Sequence, residues 1–197
     1  MSRSSELARH YRALLADHGD SPVATQMSRE GQEFRFLKLL EVGDLDGATV
    51  LDVGCGLGDL YPVLRARFPG AVYQGIDLVP EMAAAAAHKY PEVSFRAIDL
   101  LADRFEERHD FVLLSAVFNN AMDAPSEYLE ALVERAWASA TRGLAFNFLS
   151  TFNNFSQPTM AYHEPDRVLG FCLRRLSRRV RLEHHYERCD VAVFVTR

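Results

Sequence analysis

Thr49-Val50-Leu51-Asp52-Val53-Gly54-Cys55-Gly56-Leu57-Gly58-Asp59 decides how this chain is read. A β-branched, apolar run ends in an acid and then in three glycines spaced two apart. This is a strand feeding a tight turn, and the glycines permit positive φ or close approach of a ligand to backbone where a Cβ would collide. A helix can start near Asp59, with Pro62 tolerated in its first turn. The spacing narrows the ligand. A dinucleotide fingerprint places its third glycine three residues after the second; here that position is Asp59, and the pattern is DxGxGxG.

A glycine turn alone is weak evidence, so the acids that follow carry weight. Residues 71–76 read as a second strand ending at Asp77, nineteen residues past Gly58, where a carboxylate would accept both ribose hydroxyls. Residues 93–98 read as a third strand ending at Asp99, and residues 111–115 as a fourth. The plainer role for Asp77 and Asp99 is to cap the helices behind them.

The DxGxGxG turn with these acids resembles motif I and its sequels in the class I S-adenosylmethionine (SAM) dependent methyltransferases. The resemblance covers about residues 45–197, with its specific motifs in the first half. It implies SAM as cofactor and places Asp52, Gly54, Cys55, Gly56, Asp77, Leu78, Met82, Asp99, Leu100 and Ser115 around it, Asp99 toward the adenine. It also implies that Tyr11 and Arg35 reach the methionine carboxylate from the N-terminal side; a surface ion pair of Arg35 with Glu30 or Glu41 is the alternative. The segment after the fourth strand, Ser115-Ala116-Val117-Phe118-Asn119-Asn120, departs from the NPPY-type signature of amino methyltransferases acting on nucleobases or glutamine.

The chain has 197 residues, 48% hydrophobic and 25% charged, enough for one domain to bury a core without staples. A net charge of −5 disfavours a large polyanionic partner, which needs counterion-releasing Lys and Arg. Arg174, Arg175, Arg178, Arg179 and Arg181 interleave with Leu169, Cys172, Leu173, Leu176 and Val180 at helical spacing, giving either a solvated helix face or a patch for RNA or an anionic substrate. Three cysteines without a CxxC pair, and no histidines at metal spacing, imply reduced thiols and no metal site. No segment reads as a signal peptide or membrane span, so a cytoplasmic protein is expected.

Helical period recurs over residues 7–18 and is broken by Gly19-Asp20-Ser21-Pro22; a second helix runs from Arg29 to Glu41 with Ser28 as its cap. Strands near 49–53, 71–76, 93–98, 111–115 and 144–149 then alternate with helices near 59–67, 80–89, 101–107 and 126–140. Such alternation means a parallel sheet covered on both faces. Residues 180–186 and 191–196 are joined so tightly that they must be antiparallel. The expected fold is α/β: a Rossmann-like, mainly parallel seven-stranded sheet with a C-terminal antiparallel hairpin. It forms a single domain, with residues 1–44 as helical cap and 45–197 as sheet core.

The reading of function is methyl transfer to a small-molecule acceptor, at oxygen. The alternatives are an RNA or protein methyltransferase using the arginine helix of residues 174–181, and a non-catalytic SAM-binding protein. Long loops in compact domains are usually functional, so the connection 150–163 is expected to meet the acceptor. Phe152 and Tyr162 are its candidate contacts, with packing of Phe152 and Phe155 into the core as the other outcome. His163 is the candidate general base, Asn119 either a substrate contact or a turn cap, and His184 and His185 structural. The N-terminal helix is expected to act as a mobile lid.

Overall fold

In the computed structural model, which describes residues 3–187 and 189–197, seven strands form one sheet in the order β3-β2-β1-β4-β5-β7-β6. The strands are β1 (Thr49–Val53), β2 (Val72–Asp77), β3 (Ser94–Ala97), β4 (His109–Leu114), β5 (Ala140–Leu149), β6 (Arg179–Glu187) and β7 (Asp190–Thr196). β1 to β5 pair in parallel, while β7 runs antiparallel between β5 and β6. The helices are α1 (Arg3–His18), α2 (Arg29–Leu39), α3 (Leu60–Arg67), α4 (Pro80–Lys89), α5 (Pro125–Ser139) and α6 (Pro165–Arg175).

Alternation along the strands sorts the core into two layers. Leu51, Val53, Val112, Leu114, Phe146 and Phe148 pack with Leu129, Val133 and Trp137 of α5 and with Phe171 of α6. Their neighbours Val50, Phe111, Leu113 and Ala145 face the other way, against Phe36 and Leu39 of α2 and Leu60 and Leu64 of α3. A smaller cluster of Ala24, Leu57, Val79 and Met82, with Tyr11 and Leu15 of α1 packed against it, seats α1 over the glycine turn. Ser28 caps α2 as its position predicts, its Oγ accepting the Gly31 N–H at 3.1 Å.

Two sequence expectations for the elements are corrected. No helix forms over residues 101–107, because Asp99 and Asp103 bind the main-chain N–H groups of Leu101 and Asp99 and hold a turn instead. The arginine helix is also not continuous. α6 ends at Arg175, where the Ser177 hydroxyl donates to the Thr196 carbonyl and accepts the Arg179 N–H, turning the chain into β6. Arg175 pairs with Glu134, Arg179 bonds the Arg197 carbonyl, and Arg181 lies over the Phe194 ring, so these arginines share no single face. The expectation placed on the His185 side chain lies outside the described residues.

Candidate active site

The carboxyl ends of β1, β2 and β4 converge under α1 and α2 on one cleft, the position where ligands enter open α/β sheets. Gly54 and Gly58 both hold φ +74°, and a Cβ on Gly54 would lie 2.8 Å from a Val117 methyl. The β1 turn thus fits directly against the turn after β4, and only glycine allows both the conformation and the contact. Cys55, between these glycines, is a buried free thiol that burial pushes well above its ordinary pKa, which makes it a small apolar filler.

Asp77, at the end of β2, closes the turn: Oδ2 accepts the Gly56 N–H and Oδ1 the Val79 N–H, each at 2.8 Å. Two bonds leave further lone pairs on each oxygen. Burial raises its pKa despite these two donors. Asp52 lies beneath, accepting the Tyr73 hydroxyl at 2.6 Å; burial, with the Asp77 charge adding, pushes it up to about 7.

Tyr11, Asp52, Gly54, Cys55, Gly56, Asp77, Leu78, Met82 and Ser115 all line this cleft. The cleft and its open mouth hold about 730 Å³ of empty space. Asp99 and Leu100 are elsewhere: Asp99 caps its own turn, and Leu100 is buried in the core beneath it. Arg35 also stays outside. It grips the buried Asp190 with two 2.8 Å bonds, where the sequence suggested Glu30 or Glu41. Its Nη1 lies 3.3 Å from the sulfur of Met27, and Met27 is a cleft residue.

The loop after β5 folds back along the sheet rather than over the cleft. Ser150 bridges to His163 and Asn120 to Met160, so His163 is drawn inside, 2% exposed, with Nε2 donating to the Phe118 carbonyl at 3.1 Å. Phe152 is 70% exposed, in neither a pocket nor the core, and the Tyr162 hydroxyl accepts the Gln157 N–H. His184 lies 2.7 Å from the Ser150 hydroxyl.

Sequence reasoning missed several lining residues. Gln32 and Phe36 enter from α2, Tyr128 from α5, and Ala116 and Val117 from the turn after β4. That turn is held by Asn147, a fully buried amide in β5 whose Oδ1 accepts the Ala116 N–H at 2.6 Å while Ala116 holds φ 57°. The one signal in the sequence was a lone polar residue within an apolar strand. Of the six buried side-chain polar atoms without a partner among the described residues, Ser115 Oγ, Asn119 Oδ1, Asn147 Nδ2 and His163 Nδ1 lie at or just past the carboxyl ends of β4 and β5, while Arg96 Nε lies in β3 and His109 Nδ1 at the start of β4. Buried polar atoms left open at one end of a sheet mark where a ligand or water completes the bonding.

A methyltransferase-domain family model matches residues 50–141. A protein of Mycobacterium tuberculosis named for methyltransferase activity, Rv1506c, is 31% identical over 160 residues, covering 78% of this chain and 96% of that one. The chain belongs to the class I SAM-dependent methyltransferase family. A trans-aconitate 2-methyltransferase of Rhizobium meliloti is 39% identical over 64 residues, 32% of this methyltransferase and 25% of its own length. The magnesium protoporphyrin IX methyltransferase of Synechocystis, solved with bound SAM, superposes with a TM-score of 0.71 at 19% identity, covering 100% of this chain and 98% of that one. The likeness extends to the antiparallel end of the sheet, which completes the expected fold. Among the described residues no helix is long and apolar enough to cross a membrane, and no group of acidic, cysteine and histidine side chains could hold a metal ion.

Proposed function

We propose that this methyltransferase carries the methyl group of SAM to an oxygen of a small-molecule acceptor, with the nucleoside held at the β1 and β2 ends of the cleft. The observation that carries this reading is Asp77. Its carboxylate is already fixed by two main-chain donors beside the glycine turn, and its remaining lone pairs suit the two hydroxyls of a ribose. Leu78 and Met82 give the same end of the cleft an apolar wall, and Ser115 Oγ and Tyr11 offer polar groups at the other end.

Bound SAM supplies a sulfonium whose methyl carbon is open to in-line displacement. The protein's share is orientation and exclusion of water, and the turn held by Asn147 together with the cap of α1 and α2 provides both. Asp52 places an acid under a cationic ligand. The similarity to a trans-aconitate methyltransferase supports a small acceptor, as do the ion pairs of Arg175 with Glu134 and of Arg181 with Glu183, which take charge from the C-terminal arginines.

Titration calorimetry with SAM, S-adenosylhomocysteine and NAD tests the reading. Wild type should bind the first two, and Asp77→Ala should weaken them at least about tenfold, the loss of charge-assisted hydrogen bonds of about 1.5–3 kcal/mol each. Binding of NAD without SAM would overturn it.

A further inference from the structure

A second depression adjoins the cleft. It admits water over about 520 Å³ and is lined by Glu6, His10, Gln26, Asn120, Asp123 and Thr159. Leu7 belongs to the walls of both spaces. The division follows from helical spacing: Leu7 and Tyr11 form the stripe of α1 that faces the cleft, and Glu6 and His10, also four apart, form the adjacent stripe that faces the groove. Beside Leu7 the partition carries a bond, Asn120 Nδ2 donating to the Tyr11 hydroxyl at 2.6 Å, with Asn120 on the groove side and Tyr11 on the cleft side. The His10 ring stands edge-on to Tyr11 at 5.4 Å.

We propose that this groove is the acceptor site, that it takes a molecule presenting an alcohol or phenol, and that His10 is the base receiving the hydroxyl proton. The inference rests on the methyltransferase reading above and adds to it the place, the class and the base. Sequence order favoured His163 for the proton, yet that ring is enclosed by Phe148 and the Phe118 carbonyl and lines neither space. His10 is solvent-exposed on the groove, where its imidazole ring can take up a hydroxyl proton as a general base. Tyr11 is the other candidate at the partition, but burial pushes its hydroxyl above the usual phenol range, so it remains a neutral donor. Glu6 and Asp123 face the same groove and favour a neutral or cationic acceptor over an anionic one; they also offset the charge that the ring gains. In the transfer a lone pair of the hydroxyl oxygen forms the new carbon–oxygen bond. The carbon–sulfur bond breaks with its electron pair remaining on sulfur, and the hydroxyl proton passes to the imidazole. The products are a methyl ether, a neutral thioether and an imidazolium.

Phenol, benzyl alcohol, benzoate and benzylamine serve as matched probes, with S-adenosylhomocysteine release measured from pH 5.5 to 9 for wild type and His10→Ala. The expected result is transfer to the two hydroxyl probes at a measurable rate that depends on pH in the wild type. His10→Ala should lower it about 10²-fold, with partial recovery on adding free imidazole. A binding readout runs beside it: phenol added to the S-adenosylhomocysteine complex should shift the His10 ring proton signals. His10→Ala at wild-type rate, transfer only to benzoate or benzylamine, transfer to none of the probes, or unmoved ring signals each overturn the proposal. SAM titration of the same samples separates the failures, since bound SAM without hydroxyl chemistry removes this inference and leaves the parent reading standing.

Discussion

The β1 and β2 ends of the cleft and the β4 and β5 ends are built differently. At the first, every key contact is made within 21 residues of sequence: Gly56 with Asp77, Tyr73 with Asp52, Val79 with Asp77. At the second, Ala116 depends on Asn147 and Tyr11 on Asn120 at a separation of 109, and just outside the cleft Arg35 depends on Asp190 at 155. A nucleoside common to a whole family can be held by a local motif. An acceptor particular to one member is met by residues that only the finished fold brings together.

Arg35 gives the largest test of that contrast. Family resemblance would place it on the cofactor, whereas the structure places it on Asp190, whose side chain is 3% exposed. If the second arrangement holds, Arg35→Ala strands a buried carboxylate and should cost about 3–5 kcal/mol of stability. Urea unfolding would show this as a lower midpoint, with SAM affinity of the folded fraction changed far less. A tenfold loss of SAM affinity at unchanged stability would return Arg35 to the cofactor and erase the contrast.

His163 is the intermediate case. Its Nε2 bond to the Phe118 carbonyl ties the loop after β5 to the turn after β4. Removing it in His163→Ala should cost about 1–3 kcal/mol, while the pH profile of methyl transfer keeps its shape. The sign of the stability effect follows from burial, which lowers the His163 pKa below its ordinary value. The unfolded chain then binds the proton more readily, so the stabilisation is complete above about pH 6.5 and is lost as pH falls toward the depressed folded value. His109, also lowered mainly by burial, contributes in the same direction and remains in the mutant. Melting temperature followed from pH 7.5 to 5 should therefore fall less steeply in His163→Ala than in wild type.

These cases show what could be read in advance. The succession of strands along the chain, the antiparallel ending, the Ser28 cap and the glycine turn are set by periodicity and short-range chemistry, and the sequence carries both. The helix expected over residues 101–107 failed because two aspartates offered the backbone a competing set of bonds. Extending α6 through Arg181 failed because helical spacing at Leu176 and Val180 also suits partly buried positions in a turn and a strand, and Ser177 decides between them. His163 sat on a long loop, but sequence could not show that the loop pairs back along the sheet at Ser150 and Asn120. His10 was passed over because much of the groove it lines, the segment 120–123 and Thr159, lies more than a hundred residues away in sequence.

The smallest expected effect concerns α1, which belongs to both ends of the comparison. The cleft lies under α1 and α2, so ligand entry is expected to move the cap. α1 is suited to this. It buries one stripe, Leu7 with Tyr11 and Leu15 packed beside the core, and its ties include the exposed Arg12–Glu81 pair and the Asn120 bond. Gly19, at φ +57°, allows a change of direction just past its end. Hydrogen exchange over residues 5–18 should be faster than in β1 or β4 without ligand and should slow when SAM or S-adenosylhomocysteine binds. Arg12→Ala should alter this little, because an exposed pair is screened by water. Asn120→Ala should alter it more, since it removes the bond across the partition. Equal protection of α1 with and without ligand would mean that the cap is fixed and that the cleft widens from the side of β4.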